Sequence, residues 1–235
     1  STPAAELFFQ LAEKYYYHHE SLAPVSKAGK TNVWFWSAEK RRLVWQPVDS
    51  VLFHEVMAMR TSEWALRADP GFGLAIGLWQ ASFFKAEATG LTMPVYFGEG
   101  HANAYVYGTT AGPVYLLQAL ARALNDKDTA VALAATEALI ATTGSQTIFY
   151  PVGPKQPLLS ALVYGDAAVR TSAAIAIAQA GPRGQFGESD MVVKNLTAAI
   201  ADGLENQDAY VARSIAALRS VTDQRNQAFN LLLAQ

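Results

Sequence analysis

Residues 157–178 read Pro157-Leu158-Leu159-Ser160-Ala161-Leu162-Val163-Tyr164-Gly165-Asp166-Ala167-Ala168-Val169-Arg170-Thr171-Ser172-Ala173-Ala174-Ile175-Ala176-Ile177-Ala178. Pro157 suits the first turn of a helix, where its missing N–H costs nothing. Asp166 stands where a second helix starts. Its carboxylate can accept a hydrogen bond from a free backbone N–H and complements the helix dipole. Val169, Ala173 and Ile177 then recur at four-residue steps and form one buried stripe. The stretch predicts a helix, a turn and a second helix.

The same pattern stands 38 residues earlier. Leu124 aligns with Leu162, Asp128 with Asp166, Val131 with Val169, Ala135 with Ala173 and Leu139 with Ile177. A third copy follows a longer gap, as Ile200, Asp208, Val211 and Leu218. Repetition near 40 residues marks a solenoid of helix pairs. Asp128, Asp166 and Asp208 are expected helix caps, and Pro113 joins Pro157 as a helix starter. The expected fold is all-α, a right-handed α-α superhelix of antiparallel pairs with 10 to 13 helices, using the usual helix-length prior of about 11–12 residues.

These residues resemble the HEAT-repeat family over about 113–220. HEAT-like repeats often pair such an Asp with an Arg just after the Val. Asp166 and Arg170 match that pattern. In the first copy Ala132 takes the place of the Arg, and in the third Arg213 is displaced by one position.

Composition divides the chain. Seventeen of 26 aromatic residues precede position 101, with all five tryptophans (Trp34, Trp36, Trp45, Trp64, Trp79) among them. Alanine runs the other way, 13 before that position and 29 after it. The expected organisation is an aromatic helical region at 1–95, an ordered connection at 96–112 and HEAT-like repeats at 113–235. Ala58, Ala65 and Pro70, with Trp64-Ala65-Leu66-Arg67-Ala68-Asp69-Pro70, are similar to one degenerate tetratricopeptide repeat. The following helix would hold Leu74, Leu78, Trp79 and Phe83 on one side. Glu6–Tyr17 also reads as a helix, with Leu7, Leu11 and Tyr15 in line. Asn32–Val48 is either an aromatic strand pair or a bulky helix. Helix is expected there, because the rest of the chain is helical.

The 235 residues are 51% hydrophobic and 16% charged, which argues against disorder. Eighteen Lys and Arg against 20 Asp and Glu do not suggest a nucleic-acid protein. With no cysteine there is no disulfide, thiol nucleophile or thiolate metal site. No apolar run is long enough to span a bilayer, so no membrane insertion is expected. The chain opens at Ser1 without Met or a signal pattern and is read as processed or trimmed. Leu231-Leu232-Leu233 suggests that the natural chain continues. A soluble protein is expected, cytoplasmic in preference to exported.

Motifs for chemistry fail on spacing. Gly29-Lys30-Thr31 lacks the phosphate-loop glycine, since Pro24 stands in its place. His18-His19 are neighbours, and adjacent helical residues point about 100° apart, away from a common ion. His54-Glu55 lacks the second histidine of a zinc-protease helix, because Ala58 occupies that position. Lys40-Arg41-Arg42, flanked by Trp36 and Trp45, has the residue types of a single-strand nucleic-acid site. The slightly acidic chain favours a solvated face beside a packed tryptophan core instead. No catalytic, metal or cofactor residue is expected, and no nucleic acid.

The leading expectation is a non-catalytic protein–protein interaction scaffold, using the concave face of a solenoid to hold a protein or peptide partner. Thr136, Glu137, Arg170, Thr171 and Arg213 are its expected contacts. The rival is a HEAT-like enzyme of the bilin-lyase or DNA-glycosylase kind, as the resemblance implies, or an aromatic-pocket ligand carrier.

Overall fold

The computed structural model describes residues 2–25, 27–94, 100–182, 186–206 and 210–233, leaving aside the side chains of 204–206 and 222–233. The protein is predominantly all-α, with ten helices and one two-stranded sheet among the described residues. It divides into two compact units, Ser1–Tyr107 and Gly108–Gln235.

The first unit holds α1 (Ala4–Tyr16), β1 (Lys30–Ser37), β2 (Arg42–Asp49), α2 (Phe53–Ala68) and α3 (Leu74–Ala88). Helix α1 packs on α2, and α2 packs on α3. The core face of α1 is Ala5, Ala12 and Tyr16, not the expected Leu7–Leu11–Tyr15 line, and Leu7 is exposed. Small alanines let α1 approach its neighbours closely, Tyr16 fills the end of its core face, and Phe8, Phe9 and Tyr15 pack half-buried against Trp64, Phe72 and Phe53. The segment from α2 to α3 is a helix–turn–helix. Ala58 and Ala65 are buried in α2, and Asp69 Oδ1 accepts from Gly71 N at 2.9 Å in the turn. Leu78 and Phe83 face the core of α3, whereas Leu74 at its first turn is exposed.

Residues 32–48 correct the helix expectation. They form an antiparallel hairpin, with Thr31 opposite Val48, Val33 opposite Gln46, Trp34 opposite Trp45 and Trp36 opposite Leu43. Period-2 alternation explains it. Thr31, Val33 and Phe35 face inward with Val44 and Val48, while Asn32, Trp34 and Trp36 face outward. Val33 and Val48 join Leu52, Val56 and Ala86 in a core that anchors the hairpin on α2 and α3. Arg60 of α2 holds it from the side. Its Nη1 donates to the Trp34 carbonyl at 2.6 Å, and its guanidinium lies 4.3 Å over the Phe35 ring and 5.1 Å over Trp64.

The ladder's phase follows from three observations. Ser50 N donates to Gly29 O at 3.0 Å, the Trp34 carbonyl is free to accept from Arg60, and Pro47 has no N–H. All three fit if Asn32–Pro47, Trp34–Trp45 and Trp36–Leu43 are the pairs that exchange no backbone bond. Such pairs bring their Cα atoms to about 4.5 Å and their side chains closest together.

Within the expected connection, α4 (Ala104–Ala111) is helical, and the division between the units falls inside it. Its start is held by α3, since Ala104 N donates to Glu87 Oε1 at 2.9 Å and Gln80 Nε2 donates to Ala104 O at 2.7 Å.

The second unit runs through α5 (Pro113–Asp126), α6 (Thr129–Thr142), α7 (Pro157–Ala161), α8 (Ala167–Ala180), α9 (Ser189–Asn206) and α10 (Tyr210–Leu233). Contacts are sequential: α5 with α6, α7 with α8, α9 with α10, and α8 with both α6 and α9. Pro113 and Pro157 open α5 and α7. Asp128 and Asp166 cap α6 and α8 in the same way, accepting from Val131 N at 3.1 Å and from Val169 N at 3.0 Å. Val131, Ala135 and Leu139 are buried, as are Val169, Ala173 and Ile177. Asp208 lies outside the described residues. Among the described side chains of α10 the buried positions are Ser214 and Ala217, while Val211 and Leu218 are half-buried, so the third stripe is rotated from the first two. No helix is long and apolar enough to cross a membrane among the described residues.

Candidate functional site

The outward face of the hairpin is mainly apolar away from its open end. Trp34 is 51% exposed, Trp36 66%, Trp45 54% and Leu43 61%. Pro47 and Asn32 complete the face. With about 200 Å² per indole, the exposed apolar area is on the order of 400 Å². A contiguous apolar patch of that size on a monomer is at the level usually tied to a function. The sequence suggested a packed tryptophan core. The structure instead buries the smaller Val33 and Val48 and leaves these three indoles in solvent. Trp64 and Trp79 are half-buried, and Trp79 Nε1 donates to Glu63 Oε1 at 3.2 Å.

Cations stand at both ends of the face. At the open end exposed Lys27 bridges Lys30 through the backbone, and Lys30 is paired with Asp49 at 3.3 Å. At the turn Lys40, Arg41 and Arg42 are all exposed, with Glu39 the one carboxylate among them. Arg41 turns the chain at φ 46°, and Arg42, two residues before Val44, stands on the strand face opposite the indoles. The site is therefore an aromatic strip with exposed cations at its ends, anchored by the inward core and by Arg60.

The expected contacts of the second unit lie elsewhere. Thr136 is buried and its Oγ1 donates to the carbonyls of Ala132 and Leu133, both at 2.9 Å. Thr171 is also buried. Thr136 presents no side chain on an open face, because α6 is contacted on more than one side; residues 171–178 of α8 are all buried, Thr171 reaching only the wall of a cleft. Glu137 joins three helices. It accepts from Ser172 Oγ on α8, and on α10 from Tyr210 Oη at 3.1 Å and from Arg213 Nη2 at 2.9 Å. Burial, ahead of the neighbouring Glu137, pushes the Tyr210 phenol above its ordinary pKa. Arg170 Nη1 donates to the carbonyls of Tyr164 and Gly165, both at 2.8 Å, and so ties the α7–α8 turn. Arg170 and Thr171 border a cleft of about 330 Å³ between α8 and α9, with Asn195, Asp202 and Tyr210.

A polar cluster that the sequence does not announce lies within the first unit. Glu55, 3% exposed, accepts from His18 Nε2 at 2.6 Å and has Lys85 Nζ at 3.9 Å. His54 stacks on His18 with ring centroids 4.5 Å apart. Burial lowers the His54 pKa below its ordinary value; His18 and Lys85 lower it further, and Glu55 opposes them. Lys85 Nζ also donates to Tyr16 O at 3.1 Å, so the cluster ties the end of α1 to α2 and α3. His19 Nδ1 accepts from Ser21 N at 3.3 Å and caps a short turn. Among the described residues no three His, Asp or Glu side chains gather as metal ligands would.

No protein-family model, no curated protein and no solved structure matches this chain.

Proposed function

We propose that the chain is a non-catalytic protein–protein interaction scaffold and that its principal contact surface is the tryptophan face of the hairpin. One observation carries the reading: three indoles and a leucine stand exposed, side by side, on a two-stranded platform. Tryptophan and arginine are the residue types that dominate binding energy at protein interfaces. The second unit supports the scaffold part of the reading. Its two consecutive pairs, α5–α6 and α7–α8, carry equivalent proline starts, aspartate caps and stripes. On this reading they are HEAT-like repeats of a right-handed superhelix, beside a tetratricopeptide-like junction in the first unit.

A second contact surface has one observation in its favour. The cleft between α8 and α9 has Arg170 and Thr171 on its rim, two of the residues expected to meet a partner.

The test is affinity capture from an extract of the source cells, followed by binding measurements with the purified captured protein. W34A/W36A/W45A should weaken that complex about tenfold or more. Undiminished binding by this variant, with loss on Arg170→Glu, would move the contact to the α8–α9 cleft. A partner insensitive to both would sink the proposal.

A further inference from the structure

Segment 17–25 leads from α1 towards the hairpin, and none of its residues is buried. A stretch with so little buried surface opens more cheaply than the helices beside it. Its hold on the unit is largely polar. His18, just past the end of α1, sits at φ 51°, a conformation uncommon for a residue other than glycine. From there its ring lies flat on His54, with 4.5 Å between centroids and 15° between planes, and its Nε2 donates to Glu55 Oε1 at 2.6 Å. At the far end Thr31 Oγ1 of β1 donates to Val25 O at 3.2 Å.

The stack suits an uncharged His54. Its Nδ1 is shut off from solvent and has no hydrogen-bond partner. A neutral ring can keep its proton on Nε2 and leave only a lone pair at Nδ1, whereas a protonated ring carries N–H on both nitrogens. The cation therefore buries a donor without an acceptor. The titratable groups that face His54 are Tyr15 on α1, His18 in the turn after it, Glu55 on α2 and Lys85 on α3. Glu55 favours the cation, but its Oε1 already serves His18, with Lys85 Nζ 3.9 Å away. Helix α2 is packed on both α1 and α3, so the part free to yield is His18 with its exposed turn.

We propose that the His18–His54 stack is an acid-opened latch: a proton taken up by His54 drives the His18 ring off it and frees segment 17–25 at the base of the hairpin, while α1, α2 and α3 stay packed. Burial, and after it His18, makes His54 hold a proton more weakly in the closed state than in the open one. The latch is therefore shut above about pH 6.5, the ordinary histidine value, and opens as pH falls below it. It needs no partner and stands apart from the interaction-module reading.

The chain has no cysteine, so Glu20→Cys gives a single attachment point for a nitroxide label in the exposed turn. The electron paramagnetic resonance spectrum of the labelled full chain is followed from about pH 8 to pH 5, with far-UV ellipticity recorded beside it. The mobile-to-restricted ratio should rise by up to about tenfold per pH unit below about pH 6.5, the limit for one proton, while the ellipticity holds. The label on His54→Gln should stay restricted throughout. The label on His19→Gln should be released as in the parent, because His19 is a second titratable ring in the same turn but stands outside the stack, where its Nδ1 accepts from Ser21 N. In the parent the His54 ring protons, followed by NMR, should titrate at the midpoint of the label's release, which keeps the test decisive if His54→Gln does not fold. A label restricted at every pH, or released only together with loss of ellipticity, would overturn the latch. Release that persists in His54→Gln, vanishes in His19→Gln or falls where the His54 ring does not titrate would overturn it equally.

Discussion

Asp128 and Asp166 repeat one local device, a carboxylate accepting from the backbone N–H three residues on. Asp166→Ala should lower stability by about 1 kcal/mol, the usual effect of losing an N-cap, measured by denaturant unfolding. These caps are legible in sequence because every part of the device lies within four residues. Glu55, His18, His54 and Lys85 are not legible, because folding joins residues up to 67 positions apart. Their pH dependence has a definite sign. The folded His54 pKa is depressed, so below the unfolded value of about 6.5 the unfolded chain binds a proton that the folded chain refuses. The stability is complete above that value and is lost as pH falls towards the folded pKa. Thermal unfolding should therefore drop more steeply between about pH 7 and pH 5 in the parent chain than in His54→Gln. The comparison is of slopes, since the substitution also removes ring contacts with Tyr15, Phe53 and His18. Equal slopes would refute it.

At the scale of elements, helix α8 and the hairpin fail sequence reasoning in opposite ways. The stripe on α8 is correct, but the positions off the stripe are buried as well, because a helix packed against α6, α9 and α10 has little open face. Periodicity ranks the faces of a helix and does not say how many are covered. The hairpin alternates openly, yet its larger side chains take the solvent side, against the usual preference of tryptophan for burial. Acrylamide should therefore quench most of the native tryptophan emission, and W34A/W36A/W45A should remove the accessible fraction. Emission shielded from the quencher in the native chain would contradict the exposed face. Glu137 makes a separate prediction for α6, α8 and α10. Glu137→Ala should cost about 1–2 kcal/mol, since Ser172, Tyr210 and Arg213 lose a charged acceptor together. A double-mutant cycle with Arg213→Ala should give a coupling of about 0.5–1 kcal/mol, as expected for a partly exposed pair.

Over the whole molecule, the chain divides into two compact units between Tyr107 and Gly108. Five tryptophans in the first unit and none in the second make fluorescence a reporter of the first alone. Asp166→Ala should therefore shift unfolding followed by far-UV ellipticity and leave the tryptophan transition in place, because each unit carries its own core. A tryptophan midpoint that moves with the ellipticity would show the two cores to be coupled. The grip of Arg60 on the Trp34 carbonyl and the proline at position 47 have a consequence for crowded conditions. An isolated hairpin with an apolar face is the kind of unit that recruits further strands and grows into fibres. On one margin the Trp34 acceptor is already engaged, and on the other Pro47 offers no donor. Each margin therefore offers a neighbouring copy one ladder bond fewer than an uninterrupted edge would.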